Sequence, residues 1–275
     1  MSTSGSMAAQ LMRRQSFLGA SRERTWLVSS LFTASILAAW EALAVAGVLP
    51  EYLYGPVEIA RAFVELARSG DLAAQTGPSL YRALSGFFIG SAIGVMLGLL
   101  AGVSRVFRDL FDLTQSFTHP IPKIALFPAI AVLLGFTDKS RILVIAISAF
   151  YPSYLNAMNG ALGINARLLW VARNVGASKL RTFFQVVVPA AMPRALVGVR
   201  ISLMISFVLM VATEVVGHSN GLGAGLMEAY RDGEYGAMYA GIVAVALCGV
   251  ASNAVLQLAA RALGGGRHAG GAGHG

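Results

Sequence analysis

Long apolar runs alternate with short polar segments along most of the chain. A bilayer has no water to satisfy backbone groups, so an apolar run of about 20 residues predicts a transmembrane α-helix. Six runs predict six spans: 26–48, 80–103, 122–137, 141–162, 194–216 and 236–262. The third is short and contains Pro122 and Pro128, so we expect it to span only by packing against its neighbours or joining a half-helix.

One amphipathic segment lies between the first two spans. Residues 55–69 read GPVEIARAFVELARS, with apolar side chains at helical spacing on one face and Glu58, Arg61 and Glu65 on the other. This pattern predicts a helix that lies on the outer membrane surface.

A basic, half-polar segment interrupts the apolar pattern at 170–194, WVARNVGASKLRTFFQVVVPAAMPR. Asn165 suits the N-cap of a helix, Gly176 suits the left-handed residue that ends it, and Ser178 suits the cap of a second helix running toward Pro189. The pattern therefore predicts a helix, a tight turn and a helix. Apolar and basic residues alternate on it, which fits either a docking surface for a protein partner or a loop whose charges only fix the topology.

The composition indicates a membrane protein, because 56% of the residues are hydrophobic and only 12% are charged. A single cysteine, Cys248, cannot form an internal disulfide. The four histidines are isolated or lie in a glycine-rich tail, so we expect no metal site. The net charge of +8 is interpreted as a topology signal, since the basic residues are scattered among apolar runs and form no nucleic-acid-binding module.

The basic residues also predict the orientation, because they are retained on the cytoplasmic side. With both termini in the cytoplasm, 15 of the 21 basic residues fall in or beside cytoplasmic segments. The six that fall outside are Arg61, Arg68, Arg82, Lys139, Arg141 and Arg231. We therefore expect a multi-pass protein of the cell inner membrane, with segments 55–78 and 220–235 outside.

The first apolar run has two interpretations. Arg13-Arg14 followed by Ser16-Phe17-Leu18 resembles a twin-arginine export signal, and 44–46 resembles a cleavage site, which would make the run a leader. The run is longer than a usual leader core and contains Glu41, which favours a retained first helix with a cytoplasmic segment, 1–25, before it.

A family resemblance rests on the motif NVGAS at 174–178, followed by VPAAMP at 188–193. This motif resembles the EAA loop of permease subunits in binding-protein-dependent ABC importers. That loop has a Glu-Ala-Ala triplet, three residues, a glycine and a later Pro-Ala-Ala-x-Pro element, and the spacing here fits. In this chain Trp170-Val171-Ala172 replaces the Glu-Ala-Ala triplet, so the acidic contact expected toward the ATPase is absent.

Further motifs place the resemblance in the nitrate, sulfonate and taurine branch and extend it over about 41–263. They are Leu49-Pro50 with Gly55-Pro56, Pro120-Ile121-Pro122, and Glu214 followed by Gly221-Leu222-Gly223.

The resemblance implies an all-α membrane protein with the type I ABC importer permease fold, six transmembrane helices and cytoplasmic coupling helices. Residues 26–78 would form the first span and the external helix, 79–263 the core permease domain, and 264–275 a flexible tail. The chain would act as a homodimer with cytoplasmic ABC ATPase subunits and an external solute-binding protein. Contacts with the ATPase would come from Trp170, Val171, Ala172, Arg173, Val175, Gly176, Ala177 and Ser178.

The resemblance also implies that this chain is not an enzyme and holds no cofactor, and that ATP and Mg are used by the partner ATPase. The sequence agrees, because a phosphate-binding loop needs a lysine after a glycine-rich turn. The lysines here, Lys123, Lys139 and Lys179, follow Pro, Asp and Ser. The solute would be a small oxyanion or organic anion such as nitrate, a sulfonate or taurine, or else a pyrimidine-like vitamin precursor, selected mainly by the binding protein.

Two other functions remain open from the residues alone. Glu41 and Glu214 lie in or near the membrane, so they are candidates for the translocation path or a gate, as in an ion-coupled secondary transporter, or else structural residues. His218 and Ser219 offer a base and a nucleophile for an intramembrane hydrolase, but adjacent side chains seldom point at each other.

Overall fold

The computed structural model describes residues 27–118, 121–217 and 220–264, and its regular elements are all helical. The expected all-α fold is therefore confirmed for this part of the chain. The arginine pair, the segment 1–25 that was predicted to be cytoplasmic, His218, Ser219 and most of the tail lie outside the described residues. Residues up to Ala62 and residues from Phe63 onward form two compact units.

The helices follow one another with short connections. Their bounds are α1 Leu27–Val45, α2 Pro56–Ser69, α3 Asp71–Val103, α4 Arg105–Thr118, α5 Phe127–Leu134, α6 Asp138–Leu162, α7 Ala166–Asn174, α8 Lys179–Thr182, α9 Val188–Gly217, α10 Leu222–Asp232 and α11 Tyr235–Gly264. A 3-10 turn at Lys123–Leu126 precedes α5, and a π-helical turn at Phe183–Val187 joins α8 to α9.

Five helical stretches of the described residues are long and apolar enough to cross a membrane. They are Leu27–Val45, Asp71–Val103, Asp138–Leu162, Lys179–Gly217 and Tyr235–Ala262. Each corresponds to a predicted span.

The third predicted span is shorter than expected, so the count of six is not confirmed. It consists of the four-residue 3-10 turn and the eight-residue helix α5. At 1.5 Å per residue α5 covers only about 12 Å of a hydrocarbon core about 30 Å thick. Pro128 lies in the first turn of α5, where its missing N–H has no helical partner, and Gly135 ends the helix with a φ of 75°.

The prolines at 189 and 193 do not interrupt the helical run as much as the sequence suggested. Pro189 is the second residue of α9 and directly follows the π-helical turn. Just before it, the backbone N–H of Val188 donates to the Phe183 carbonyl oxygen in the π-helical turn. The run from α8 to α9 is therefore continuous over Lys179–Gly217.

Helices α3 and α6 pack backbone against backbone. Five glycines on α3, four residues apart, form the contact stripe: Gly86, Gly90, Gly94, Gly98 and Gly102. A Cβ at Gly90 would meet the carbonyl oxygen of Ala146, and one at Gly94 would meet that of Phe150. The stripe therefore permits a separation that no larger residue allows.

Helix α9 packs on another side of α6 in the opposite direction. Near its start, a Cβ at Gly160 of α6 would lie 2.8 Å from the Ala191 carbonyl oxygen. Further along, the Ser153 and Ser202 hydroxyl oxygens lie 2.8 Å apart. Helices α3, α6 and α9 thus form the packed centre of the second unit. The α7–α8 turn follows the C-terminal end of α6, and a buried ionic cluster lies at its N-terminal end.

Candidate functional site: the α7–α8 turn and a buried ionic cluster

The α7–α8 turn has the geometry that the sequence predicts. The Asn165 side chain accepts a hydrogen bond from the Arg167 N–H, and the Ser178 hydroxyl oxygen accepts one from the Arg181 N–H. Gly176 has a φ of 72°, the left-handed conformation that favours glycine.

Two backbone hydrogen bonds lock this turn. The Gly176 N–H donates to the Arg173 carbonyl oxygen at 3.0 Å, and the Ala177 N–H donates to the Ala172 carbonyl oxygen at 3.0 Å. This pair of bonds is a Schellman motif, which ends α7 sharply and starts α8 in a new direction.

The turn presents an apolar patch, a name used here for Leu168, Trp170, Val171, Val175, Leu180 and Phe184. These side chains are between 50% and 75% exposed. Leu169 and Phe183 instead pack inward against the core, and Ala172 is buried. Ala172 therefore anchors the turn, and of the predicted contact residues Trp170, Val171 and Val175 carry the exposed apolar area.

The charged residues of the α7–α8 turn are all basic. Arg167, Arg173, Lys179 and Arg181 are all exposed around the apolar patch. No acidic residue occurs in the sequence between Asp138 and Glu214. A surface that combines exposed aromatic and aliphatic side chains with unopposed cations is suited to a partner with an apolar groove and acidic surroundings.

Glu214 lies at the other end of the α6–α9 pair and is fully buried. Its carboxylate accepts hydrogen bonds from the Ser79 hydroxyl at 2.9 Å, from Arg82 Nη1 at 2.7 Å and from the Gly223 N–H at 2.9 Å. The Gly223 N–H belongs to the first turn of α10, where a negative charge is favoured by the helix dipole. Glu214 thus ties α9 to α3 and to the start of α10.

Arg82 carries the positive charge that neutralises the buried Glu214 carboxylate. Its side chain is 2% exposed, and its Nε lies 2.7 Å from Asp138 Oδ1 at the start of α6. Its Nη1 also donates to the Asn220 carbonyl oxygen at 2.6 Å. Four helices, α3, α6, α9 and α10, therefore meet on one buried arginine and one buried glutamate. Removing one partner of such a pair costs about 3–5 kcal/mol.

Glu41 joins two helices, α1 and α2, in a similar way within the first unit. Its Oε2 accepts a hydrogen bond at 3.0 Å from the N–H of Val57, the second residue of α2. Gly55 leaves room for this carboxylate, since a Cβ there would lie 2.6 Å from Glu41 Oε2. Both glutamates singled out from the sequence thus accept N–H groups at helix N-termini.

Comparison with known proteins identifies the molecule. A family model described as "Binding-protein-dependent transport system inner membrane component" matches residues 90–265, which include the α7–α8 turn and Glu214. The chain belongs to this family. It is therefore the permease subunit of an ABC transport system and not an enzyme, as its sequence motifs imply.

Individual family members and a solved permease agree. The chain is 35% identical over 239 residues to the aliphatic sulfonates transport permease protein SsuC of Bacillus subtilis, covering 86% of this chain and 87% of that one. It is 27% identical to the taurine transport system permease protein TauC of Escherichia coli, covering 88% of both chains. The fold matches an inward-facing structure of the MetNI methionine ABC transporter with a TM-score of 0.55 and 22% identity, covering 70% of this chain and 94% of that chain. The predicted type I permease fold is therefore confirmed.

Proposed function

We propose that this permease imports a small organic anion and is driven by a separate ATPase that docks on the apolar patch. The observation that carries the proposal is the α7–α8 turn, in which rigidly capped helices display exposed Trp170, Val171 and Val175. A contiguous apolar patch that is exposed to water is normally covered by a partner. The position of the turn, within the segment matched by the family model, supports the same assignment.

The turn also packs against the core, and this contact allows it to transmit movement to α9. Its inward side chains, Leu169 and Phe183, pack against the core cluster that contains Val187, Ala191 and Ala195 of the π-helical turn and α9. A displacement of the patch by the ATPase would therefore move α9 directly. ATP and Mg are bound by the ATPase, and this chain contributes the coupling contact.

The solute is proposed to be a sulfonate or a related small oxyanion. This follows from the names of the relatives that match along most of their length, SsuC and TauC. An external binding protein delivers the solute, in keeping with the family description. In this proposal two copies of the chain enclose the path.

The membrane orientation in this proposal follows the basic residues. The patch and its four cations face the cytoplasm, where the ATPase is, and both termini lie on that side. The ionic cluster of Arg82 and Glu214 lies at the opposite, external end of α6 and α9.

We assign Glu214 and Glu41 structural roles in place of a proton path. Glu214 is 0% exposed and is bound to Arg82 at 2.7 Å, so its charged form is already neutralised. A proton carrier has to alternate between two sides of the membrane, whereas this carboxylate ties α9 to α3 and α10. An ion-coupled transporter is thus the second candidate function. It predicts uptake that is driven by a proton gradient instead of ATP.

The test is an assay of energy coupling in proteoliposomes. The permease reconstituted with its ATPase and binding protein should take up taurine or a short alkanesulfonate only when ATP is supplied inside, and the loaded binding protein should stimulate ATP hydrolysis. The permease alone should neither bind nor hydrolyse ATP. Uptake that proceeds without the ATPase, follows a proton gradient and disappears in Glu214→Gln would establish the ion-coupled mechanism instead.

A further inference from the structure

Arg200 is a charged residue on the exposed side of the membrane-crossing helix α9. Val197, Met204 and Val208 are exposed on the same helix at 52%, 56% and 66%. Arg200 is exposed as well. Residues three or four apart share a helix face, so these four form one exposed stripe in which Arg200 is the polar member.

Contacts between α9 and α6 place Arg200 near mid-height of the bundle. On one side of it, Gly198 packs against the Pro152 carbonyl oxygen; on the other, Ser202 lies 2.8 Å from Ser153. Arg200 is therefore level with Pro152. From Pro152, the start of α6 at Asp138 is about 21 Å away and its end at Leu162 about 15 Å away, at 1.5 Å per residue.

A charge at this height requires water or an ionic partner. Charged residues within transmembrane helices face a bundle interior or a water-filled cavity, or pair with another charge. The ion pairs found among the described residues join Arg82 to Asp138 and Glu214, and Arg141 to Asp138. Arg200 belongs to none of them. Its side chain lies outside the protomer interior. These facts indicate an aqueous environment on this face of α9.

A groove continues the same face toward α11. It has a volume of about 560 Å³, and Met204 and Val208 form part of its α9 wall. On the α11 wall lies Asn253, whose Oδ1 is buried and has no hydrogen-bond partner among the described residues. The groove is otherwise apolar, and it extends the exposed face that carries Arg200 along Met204 and Val208 toward α11.

We propose that this face of α9 lines the solute path between two copies of the chain, and that Arg200 is the cation that attracts an anionic solute into it. The inference rests on the proposed function, because it takes the solute to be a sulfonate or similar oxyanion. A guanidinium matches the geometry of such a group, since its parallel N–H donors bind two oxygens at once. No acidic residue between Asp138 and Glu214 offsets this charge along α9.

The first test measures water access without relying on transport. Met204→Cys, which lies on the same exposed stripe and leaves Arg200 in place, is made in a Cys248→Ser background, assembled with the ATPase and binding protein in proteoliposomes and treated with a small anionic methanethiosulfonate. We expect modification, and we expect taurine or a short alkanesulfonate delivered by the binding protein to slow it at least threefold. Absence of modification would place residue 204 in lipid, and modification that sulfonate leaves unchanged would place it outside the solute path; either result overturns the proposal.

The second test measures selectivity. Arg200→Gln should lower the rate of sulfonate uptake at least tenfold, whereas Arg200→Lys should lower it less, because the charge is kept and only the paired N–H donors are lost. The matched control is Arg261→Gln, which removes an exposed cation from the last turn of α11 and should transport at nearly the wild-type rate. Wild-type uptake in Arg200→Gln overturns the role of Arg200, whereas absence of ATP-driven uptake in the wild-type complex would count against the proposed function itself.

Discussion

Replacing Gly94 with leucine should prevent the chain from accumulating as a folded membrane protein. A Cβ at Gly94 would collide with the Phe150 carbonyl oxygen and lie 3.0 Å from the Ser153 side chain. Both belong to α6, whose backbone cannot retreat without losing its contact with α9. Overpacking a tight interface costs about 1–3 kcal/mol, and a whole leucine side chain should exceed that range. The measurement is the yield of detergent-extracted protein and its thermal unfolding temperature.

Gly77→Leu is the control for this prediction. Gly77 lies on the same helix, and a Cβ there meets no atom within 4 Å. Leucine is favoured over glycine in a helix by about 1 kcal/mol, so this variant should be as stable as the wild type or slightly more stable. Equal losses in both variants would show that the glycine stripe does not set the α3–α6 packing.

Gly176→Val should abolish ATP-driven uptake while the protein still inserts and folds. A Cβ at Gly176 meets no atom within 4 Å, so the penalty comes from the φ of 72° alone. Left-handed backbone costs a non-glycine residue about 1–2 kcal/mol, and more for a β-branched residue. The turn escapes this strain by changing direction, which moves Val175 and Leu180 away from the proposed ATPase contact. Uptake and ligand-stimulated ATP hydrolysis should both be lost.

Gly233→Val provides the matched control. Gly233 also ends a helix with a left-handed φ, 77°, and a Cβ there also meets no atom within 4 Å. The backbone strain is therefore similar, but the residue follows α10, far along the chain from the α7–α8 turn. We expect Gly233→Val to lower stability by a similar amount and to retain coupling. If Gly176→Val transports at the wild-type rate, the turn is only a topogenic loop.

Much of the helical architecture was predictable because its causes are local. Apolar length predicted the five long helices, and Asn165, Gly176 and Ser178 were recognised from the chemistry of capping. The glycine stripe from Gly86 to Gly102 was also visible as a four-residue repeat, and it would have predicted a close helix neighbour. Its partner on α6 could not be predicted, because the carbonyl oxygens it contacts exist in every residue.

The ionic cluster was not predictable from local patterns. Arg82 and Glu214 are 132 residues apart in sequence, and only the packing of α3 against α9 brings them within 2.7 Å. Without that contact Glu214 appeared as an isolated acid in an apolar run, which is why a transport path was considered for it. The short α5 was overestimated for a related reason, since apolar composition does not show where Gly135 ends the helix.

The central claim is that the apolar patch binds a cytoplasmic ATPase, and cross-linking from Val175 tests it most directly. In a Cys248→Ser background, Val175→Cys is labelled with a photoactivatable maleimide in the assembled complex and illuminated. Val175 is 75% exposed at the turn, so the probe should cross-link to the ATPase subunit. Glu234→Cys, which follows α10, should give no such product. A Val175→Cys cross-link to the external binding protein, or labelling by an impermeant reagent from outside, would contradict the account.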